Sequence, residues 1–181
     1  GNAIAVQGDV AKAVDVKRLF AETKKAFGAP DVLVNNAGIY AFDPLEKVTE
    51  DEFHREFNTN VLGPILTIRE ALNYFGPDGG SVINISSVAS TSAPPNTVVY
   101  SATKGAVDVI ARVLGKELGA RKIRVNTIAP GGVETEGTHS IGVIGSDFEK
   151  KIVADTPLGR LGQPDDIARV VTDTVKAQSG V

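Results

Sequence analysis

A tyrosine and a lysine stand four positions apart at the start of a predicted helix, as Tyr100 and Lys104. Residues four apart share one face of a helix, so the phenol and the ammonium are expected to lie one above the other. A free tyrosine titrates near ~10, and a cation within ~4–6 Å lowers that pKa. The spacing therefore predicts that Lys104 lowers the pKa of Tyr100 and makes it a candidate general acid/base. The alternative is an ordinary pair on an exposed helix face.

Two hydroxyls precede this helix, at the end of a predicted buried strand over residues 81–87. Ser86 and Ser87 are both placed to reach the Tyr100 pocket and to hydrogen-bond a substrate oxygen. Ser87, thirteen positions before Tyr100, is the preferred residue. The alternative is that both serines only close a turn.

Composition limits the functional classes. The 181 residues, 42% of them hydrophobic, fit one domain over residues 1–181, and 19 Lys plus Arg against 22 Asp plus Glu give a net charge of −3. The sequence has no basic run of the kind that binds nucleic acid, so no nucleic-acid partner is expected. It also has no leader and no long apolar run, so no membrane segment is expected. The chain contains no cysteine, and His54 and His139 lack metal-ligand spacing, so no metal site is expected. A cytoplasmic location is the resulting expectation.

Strands and helices are predicted to alternate along the chain. Short β-branched or apolar runs predict strands, and periodic segments between them predict helices. The predicted strands are 4–10, 31–35, 81–87 and 123–129, and the predicted helices are 14–27, 49–75, 98–119 and one that opens at 165. This order requires crossover connections, so the predicted class is α/β with a doubly wound parallel sheet.

Polar or glycine-rich residues lie at the carboxyl end of each predicted strand, at Gly8-Asp9, Asn35–Gly38, Ser86-Ser87 and 130–132. In a parallel sheet these positions share one edge, where ligands bind. Any one of them is equally well explained as a turn, but the four together with Tyr100 and Lys104 favour a binding site.

Two further segments have two interpretations each. Pro64 has no N–H, so the carbonyl of Asn60 is freed to hold a water or a lysine; a simple packing kink is the alternative. The glycine-rich segment 131–148 is predicted to lack clear structure, as a mobile lid that orders on cofactor binding or as a disordered linker.

The motifs together resemble the short-chain dehydrogenase/reductases, over about Ala3 to Ile167. They are Asn35-Asn-Ala-Gly38, Asn60-Val-Leu-Gly63, Asn84-Ile-Ser-Ser87, Tyr100-x-x-x-Lys104, Asn126-x-x-x-Pro-Gly131 and Pro157-Leu-Gly-Arg160. The resemblance implies a Rossmann-type fold and hydride transfer between NAD or NADP and a small-molecule carbonyl or alcohol. Within the family the chain is similar to 3-oxoacyl-acyl-carrier-protein reductases and to related glucose dehydrogenases, which implies a 3-oxoacyl thioester as one substrate.

The resemblance also assigns roles. Tyr100 would be the acid/base, Ser87 would orient the carbonyl, Lys104 would hold the nicotinamide ribose and Asn60 a relay water. The remaining cofactor contacts fall into two groups. The contacts with the adenine and adenosine side would be Asp9, Val10, Asn36, Ala37 and Gly38. The contacts with the nicotinamide end would be Pro130, Gly131, Val133 and Thr135.

The sequence departs from the family pattern at both ends. The family's Gly-x-x-x-Gly-x-Gly turn and its second strand do not occur ahead of Asp31. The family's last strand does not occur after the final predicted helix. The predicted fold is therefore incomplete at both ends. The residue that selects NAD or NADP is therefore unreadable, and the isolated chain is expected to be inactive. A homodimer or homotetramer is implied, and a non-catalytic nucleotide-sensing or scaffolding protein is the alternative function.

Overall fold

The computed structural model describes residues 1–176, which form an α/β fold with a three-stranded parallel sheet flanked by helices, as the sequence predicts. The strand order is β1-β2-β3. In chain order the elements are α1 (Ala13–Phe27), β1 (Val32–Asn35), α2 (Glu50–Phe57), α3 (Gly63–Ala71), β2 (Gly80–Ile85), α4 (Ala89–Ser92), α5 (Val98–Glu117), β3 (Ile123–Ile128), α6 (Glu136–Ser140), α7 (Asp147–Asp155) and α8 (Pro164–Lys176). The chain divides into two compact units, one up to residue 127 and one from residue 128 onward.

The register of β1 and β2 aligns their carboxyl ends. Asn35 pairs with Asn84 in the parallel ladder. The Asn35 side-chain amide donates to Asn84 Oδ1 at 2.8 Å, and its own oxygen accepts from Thr67 Oγ1 at 2.7 Å. These bonds join the ends of both strands to α3, so the segments that follow the strands leave the sheet from one fixed edge.

The core of the first unit packs around β2, whose Val82 and Ile83 are fully buried. Adjacent residues of a strand point to opposite faces of the sheet, so both faces of β2 are covered. One cluster joins α1 to α3, and its buried members are Val16, Phe20, Leu66 and Ala71. A second cluster joins α3 and β2 to the start of β3, and its buried members are Ile68, Val82, Leu118 and Ile123.

The predicted helix over 49–75 is two helices. It begins as expected, with Thr49 Oγ1 accepting from Glu52 N at 3.2 Å. A π-helical turn at Asn58–Leu62 then separates α2 from α3. Such turns arise where the regular hydrogen-bond ladder is broken, and Pro64 breaks it by lacking an N–H.

The predictions for residues 4–10 and for β1 are wrong in part. Residues 4–10 form no strand, because no described strand lies beside them to complete a hydrogen-bonded ladder. The strand over 31–35 is present, but Val32 and Val34 are 36% and 40% exposed rather than buried on both faces. Exposure alternates along β1, so one of its faces is uncovered, and β1 also lies at an edge of the described sheet.

The segment 131–148 is also more ordered than predicted. It contains α6 and the start of α7, because hydroxyl residues cap both helices. Thr135 and Thr138 form a reciprocal capping box, and Ser146 Oγ accepts from Glu149 N at 3.2 Å. Because the segment is rich in glycine, it was predicted to lack helices even though capping residues are present, and two short helices were missed.

Candidate functional site

Three elements of the first unit meet beside Gly38, just after β1. A Cβ built on Gly38 would lie 3.5 Å from Asn60 Oδ1, in the π-helical turn, and 3.6 Å from Lys104 Nζ, on α5. The structure thus brings together the glycine, the amide and the ammonium that the sequence places in one site. The exposed backbone at Asn36, Ala37 and Gly38 borders these groups.

The Asn60 side chain holds the backbone of the segment after β1. Its Oδ1 accepts from Ile39 N at 2.9 Å, and its Nδ2 donates to Ile39 O at 2.8 Å. Nδ2 also donates to Thr103 Oγ1 at 3.1 Å, and that hydroxyl donates to Tyr100 O at 2.7 Å. Asn60 is 2% exposed and therefore ties the turn, the segment and α5 together. Its role with a relay water stays a prediction.

The two serines after β2 have different partners. Ser86 is buried, and its hydroxyl donates to the Lys104 carbonyl oxygen at 3.2 Å. Ser87 is half-buried, and its Oγ accepts from Ala89 N at 3.1 Å. Its hydroxyl also lies close enough to the Tyr100 phenol to lower the pKa of that group. Ser86 is thus occupied in packing α5 on β2, while Ser87 shares the pocket of the phenol.

The expected lowering of the Tyr100 pKa by Lys104 is wrong for this structure. Burial raises the pKa of Tyr100, and the nearby Ser87 hydroxyl lowers it without reversing the direction. Lys104 Nζ lies 5.5 Å from the centroid of the Tyr100 ring and donates instead to Ile85 O at 2.9 Å. The ammonium is therefore directed at the strand end rather than at the phenol.

Lys104 is itself a perturbed group. Burial lowers its pKa to about 8, although Asp108 and Glu56 act in the opposite direction. An ammonium with this pKa remains mainly protonated at pH 7. It is a buried cation beside the Gly38 backbone, which suits a partner rich in hydroxyl oxygens.

Two of the predicted cofactor contacts lie before α1. Asp9 is exposed, and its Oδ1 accepts from Ala11 N at 2.9 Å, so the carboxylate closes a local turn. Val10 packs against the start of α3. A Cβ built on Gly63, the first residue of α3, would lie 2.9 Å from Val10 Cγ2.

The other four predicted contacts belong to the second unit. Val133 pairs with Gly162 in an isolated parallel bridge, after Pro130 and Gly131. Thr135 caps α6, with its Oγ1 accepting from Thr138 N at 3.2 Å. Their contact with a cofactor stays a prediction.

Sequence reasoning missed two aromatic residues and one acid beside Tyr100. The Tyr40 and Phe42 rings stack at 5.4 Å, and each meets the Tyr100 ring edge-on, at 5.8 and 5.7 Å. Glu56 is fully buried on α2. Its position four residues before Asn60, on the same helix face, was the available signal, because a carboxylate on a buried face requires a partner.

Within residues 1–176 no cluster of His, Cys, Asp and Glu could hold a metal ion. His54 and His139 are both exposed and lie near Glu50 and Glu134, at 3.6 and 3.1 Å. In the same part of the chain, no helix is both long and apolar enough to cross a membrane.

Residues 1–175 match the family model described as enoyl-(acyl carrier protein) reductase. An uncharacterized oxidoreductase of Methylorubrum extorquens is 53% identical over 171 residues, covering 94% of this chain and 68% of that protein. A hydroxynaphthalene reductase-like protein of Metarhizium brunneum is 38% identical over 180 residues, covering 93% and 67%. A short-chain dehydrogenase/reductase of Pestalotiopsis microspora is 36% identical over 179 residues, covering 94% and 68%.

The fold, the motifs and these matches together define a class of oxidoreductase. The chain belongs to the short-chain dehydrogenase/reductase family.

Proposed function

We propose that the full-length protein transfers a hydride between NAD or NADP and a carbonyl or alcohol substrate, with Tyr100 as the acid/base. The observation that carries the proposal is that Asn60 and Lys104 meet beside Gly38, while Tyr100 lies next to Lys104 on α5 and shares its pocket with Ser87. In carbonyl reduction the Tyr100 phenol donates a proton to the substrate oxygen while Ser87 orients that oxygen. Because the pKa of Tyr100 is raised, the phenol is protonated at neutral pH, which is the form that donates a proton, although a higher pKa also makes it a weaker acid.

The nicotinamide cofactor supplies the hydride, and the residues present fit it at one end. Lys104 Nζ and the exposed backbone of Asn36, Ala37 and Gly38 offer a cation and polar groups to a ribose. The Lys104 ammonium has three N–H donors, so it could hold a ribose hydroxyl while it donates to Ile85 O. We propose Asp9, Val10, Pro130, Gly131, Val133 and Thr135 as further contacts.

Two substrate classes are open to test. The resemblance to 3-oxoacyl-acyl-carrier-protein reductases favours a 3-oxoacyl thioester, and the description of the matching family, enoyl-(acyl carrier protein) reductase, supports an acyl thioester more generally. The aromatic wall of Tyr40 and Phe42 beside Tyr100 favours a flat aromatic ketone, and one relative is named for a hydroxynaphthalene. Aromatic rings pack favourably against aromatic side chains, so the wall is the observation that supports the second class.

The test is an absorbance assay of the full-length protein with NADH or NADPH and a panel of carbonyls. Acetoacetyl thioesters, 1-tetralone-type aromatic ketones and small aliphatic ketones represent the classes. Cofactor oxidation with any of them supports the proposal and ranks the substrates. Cofactor binding without turnover on the whole panel would favour the non-catalytic nucleotide-sensing or scaffolding alternative. The cytoplasmic location stays a prediction.

The 181 residues alone should bind NADH and NADPH weakly. A pyrophosphate is held by the backbone N–H groups of a glycine-rich turn and by the helix end behind it. The residues of this chain ahead of β1 contain no such turn. Nicotinamide fluorescence, titrated against this chain and the full-length protein, measures the difference. Micromolar binding by the chain alone would contradict the expectation.

We also propose that the protein is a homodimer or homotetramer joined through α3 and α5. These helices form an apolar groove of about 420 Å³, whose exposed members include Ile65, Val109 and Val113. Apolar patches of this kind on a surface mark interfaces.

Val109→Asp should therefore shift the full-length protein toward the monomer in light scattering, because it buries a charge at the interface. Val14→Asp, on the exposed face of α1, is the matched control and should leave the mass unchanged. A wild-type protein that is monomeric at all concentrations would overturn the proposal.

A further inference from the structure

Glu56 is a buried acid that the proposed reaction does not use. It lies at the end of α2 and is 0% exposed. Its Oε1 accepts from Ala41 N at 2.9 Å, whereas Oε2 has no hydrogen-bond partner among the described residues. A buried carboxylate oxygen without a partner is costly, so the site requires either a proton or a water at Oε2.

Glu56 and Asn60 hold alternate residues of the segment after β1. Asn60 binds the backbone of Ile39, and Glu56, four residues earlier, binds that of Ala41. Tyr40 lies between the two held residues, and Phe42 follows them. Both rings contact the ring of Tyr100, so Glu56 fixes the backbone that carries one wall of the pocket.

A small cavity adjoins the carboxyl group. Its volume is about 10 Å³, which is close to the smallest space that holds a single water. The lining includes the polar side chains of Asp43, Glu52 and Asn96 as well as Glu56. A water there would have the polar partners that an enclosed water requires.

Charged groups of both signs surround Glu56, and burial together with Glu52 outweighs the cations Arg55 and Lys104, so the neutral form is favoured. Arg55, the nearby cation, is engaged by Glu52 at 2.7 and 3.0 Å. Asp43 and Glu52 line the same cavity. Glu56 also interacts electrostatically with Tyr100 and Lys104 on α5, and of these the Lys104 ammonium favours the charged form of Glu56. Burial is the main cause that raises the pKa of Glu56 to about 7, with Glu52 adding to it and Ala41 N opposing it.

We propose that Glu56 is a positioning residue for the reaction: as a neutral acid, bound to Ala41 N and to one water in the adjoining cavity, it holds the Tyr40–Phe42 wall against Tyr100. Ionisation places a buried charge beside that of Glu52, and the repulsion between the two carboxylates moves Glu56 and the wall that it holds, against the stronger bond that Ala41 N makes to a charged oxygen. The same charge raises the pKa of Tyr100 through repulsion. This proposal rests on the proposed function. Its consequence is an activity that falls as pH rises through about 7.

The first test is the pH profile of kcat/KM for an aromatic ketone in the full-length protein. Glu56→Gln keeps a neutral acceptor for Ala41 N and should give a profile without the fall near pH 7. Glu56→Ala removes the acceptor and should lower kcat/KM about 10-fold or more at pH 6, because small displacements of positioning groups are costly. Glu50→Gln, an exposed acid on the same helix, is the matched control and should retain the wild-type profile.

The second test needs no turnover. The sequence has three tyrosines and no tryptophan, and two of those tyrosines, Tyr40 of the wall and Tyr100 against it, are in ring contact. The near-ultraviolet circular dichroism of the wild type should therefore titrate near pH 7, and that of Glu56→Gln should not. A protein without turnover on any carbonyl would refute the proposed function, while this titration would still decide the role of Glu56.

Retention of the wild-type titration by Glu56→Gln, in activity or in the tyrosine signal, would overturn the proposal. Wild-type kcat/KM and tyrosine signal in Glu56→Ala would also overturn it. Because Glu56→Gln is isosteric, it keeps the test decisive even where Glu56→Ala does not fold.

Discussion

Tyr100→Phe should lower the turnover of the full-length protein at least about 10²-fold, since removal of a positioned acid/base commonly costs that much. The variant keeps the ring, so its contacts with Tyr40 and Phe42 and the fold of α5 should persist. Only the hydroxyl that lies close to Ser87 is lost. Steady-state kinetics with NADH or NADPH measure the effect, and cofactor affinity should change far less than turnover.

Two comparison variants make this result specific. Tyr74→Phe removes a phenol whose ring packs on Phe20, at 5.4 Å, and should leave turnover unchanged. Lys104→Ala should harm both turnover and cofactor affinity, because the buried ammonium and its bond to Ile85 O are lost together. Near-normal turnover in Tyr100→Phe would end the assignment of this residue.

The sequence predicted those parts of the fold in which local pattern and tertiary packing agree. The helix of Tyr100 and Lys104 and the strands before Asn35 and Ser86 were correct within a few residues. Apolar positions of both α5 and β2 are buried in the core, so for these two elements the pattern and the structure have the same cause.

The failures share a different cause. Residues 4–10 have strand composition but no described neighbour, and strand formation depends on pairing that composition does not encode. The split of the 49–75 helix was detected only as a kink at Pro64, because a π-helical turn has no residue pattern of its own.

The candidate site shows the same division. Spacing brought Lys104 close to Tyr100, but it did not reveal that Nζ bonds to Ile85 O or that burial raises the phenol pKa. Burial and hydrogen-bond direction depend on the surrounding side chains, which lie far away in the sequence. Glu56 and Tyr40 were missed for this reason, since each acquires its role from residues on other elements.

The junction between β2 and β3 leads to a prediction about stability. Gly79 has a φ of +86°, and a Cβ at this position would lie 2.0 Å from Lys122 O and 2.5 Å from Lys122 C. The next residue, Gly80, donates its N–H to the same carbonyl oxygen at 3.3 Å. The turn before β2 is therefore pressed against the residue that precedes β3, where only a glycine fits.

Gly79→Ala should accordingly lower the free energy of unfolding of the full-length protein by about 4 kcal/mol, a size reserved for severe steric or packing defects. Gly28→Ala is the matched control, because Gly28 has a φ of +88° but no atom within 4 Å of its Cβ position. It should lose only the conformational cost of its φ of 88° and ψ of −157°, a region adopted almost only by glycine, which is about 1–3 kcal/mol. Urea unfolding of both variants, followed by far-ultraviolet circular dichroism, measures the difference. Equal losses would show that Lys122 moves aside easily, and that the close contact between the start of β2 and the start of β3 does not help to hold the sheet together.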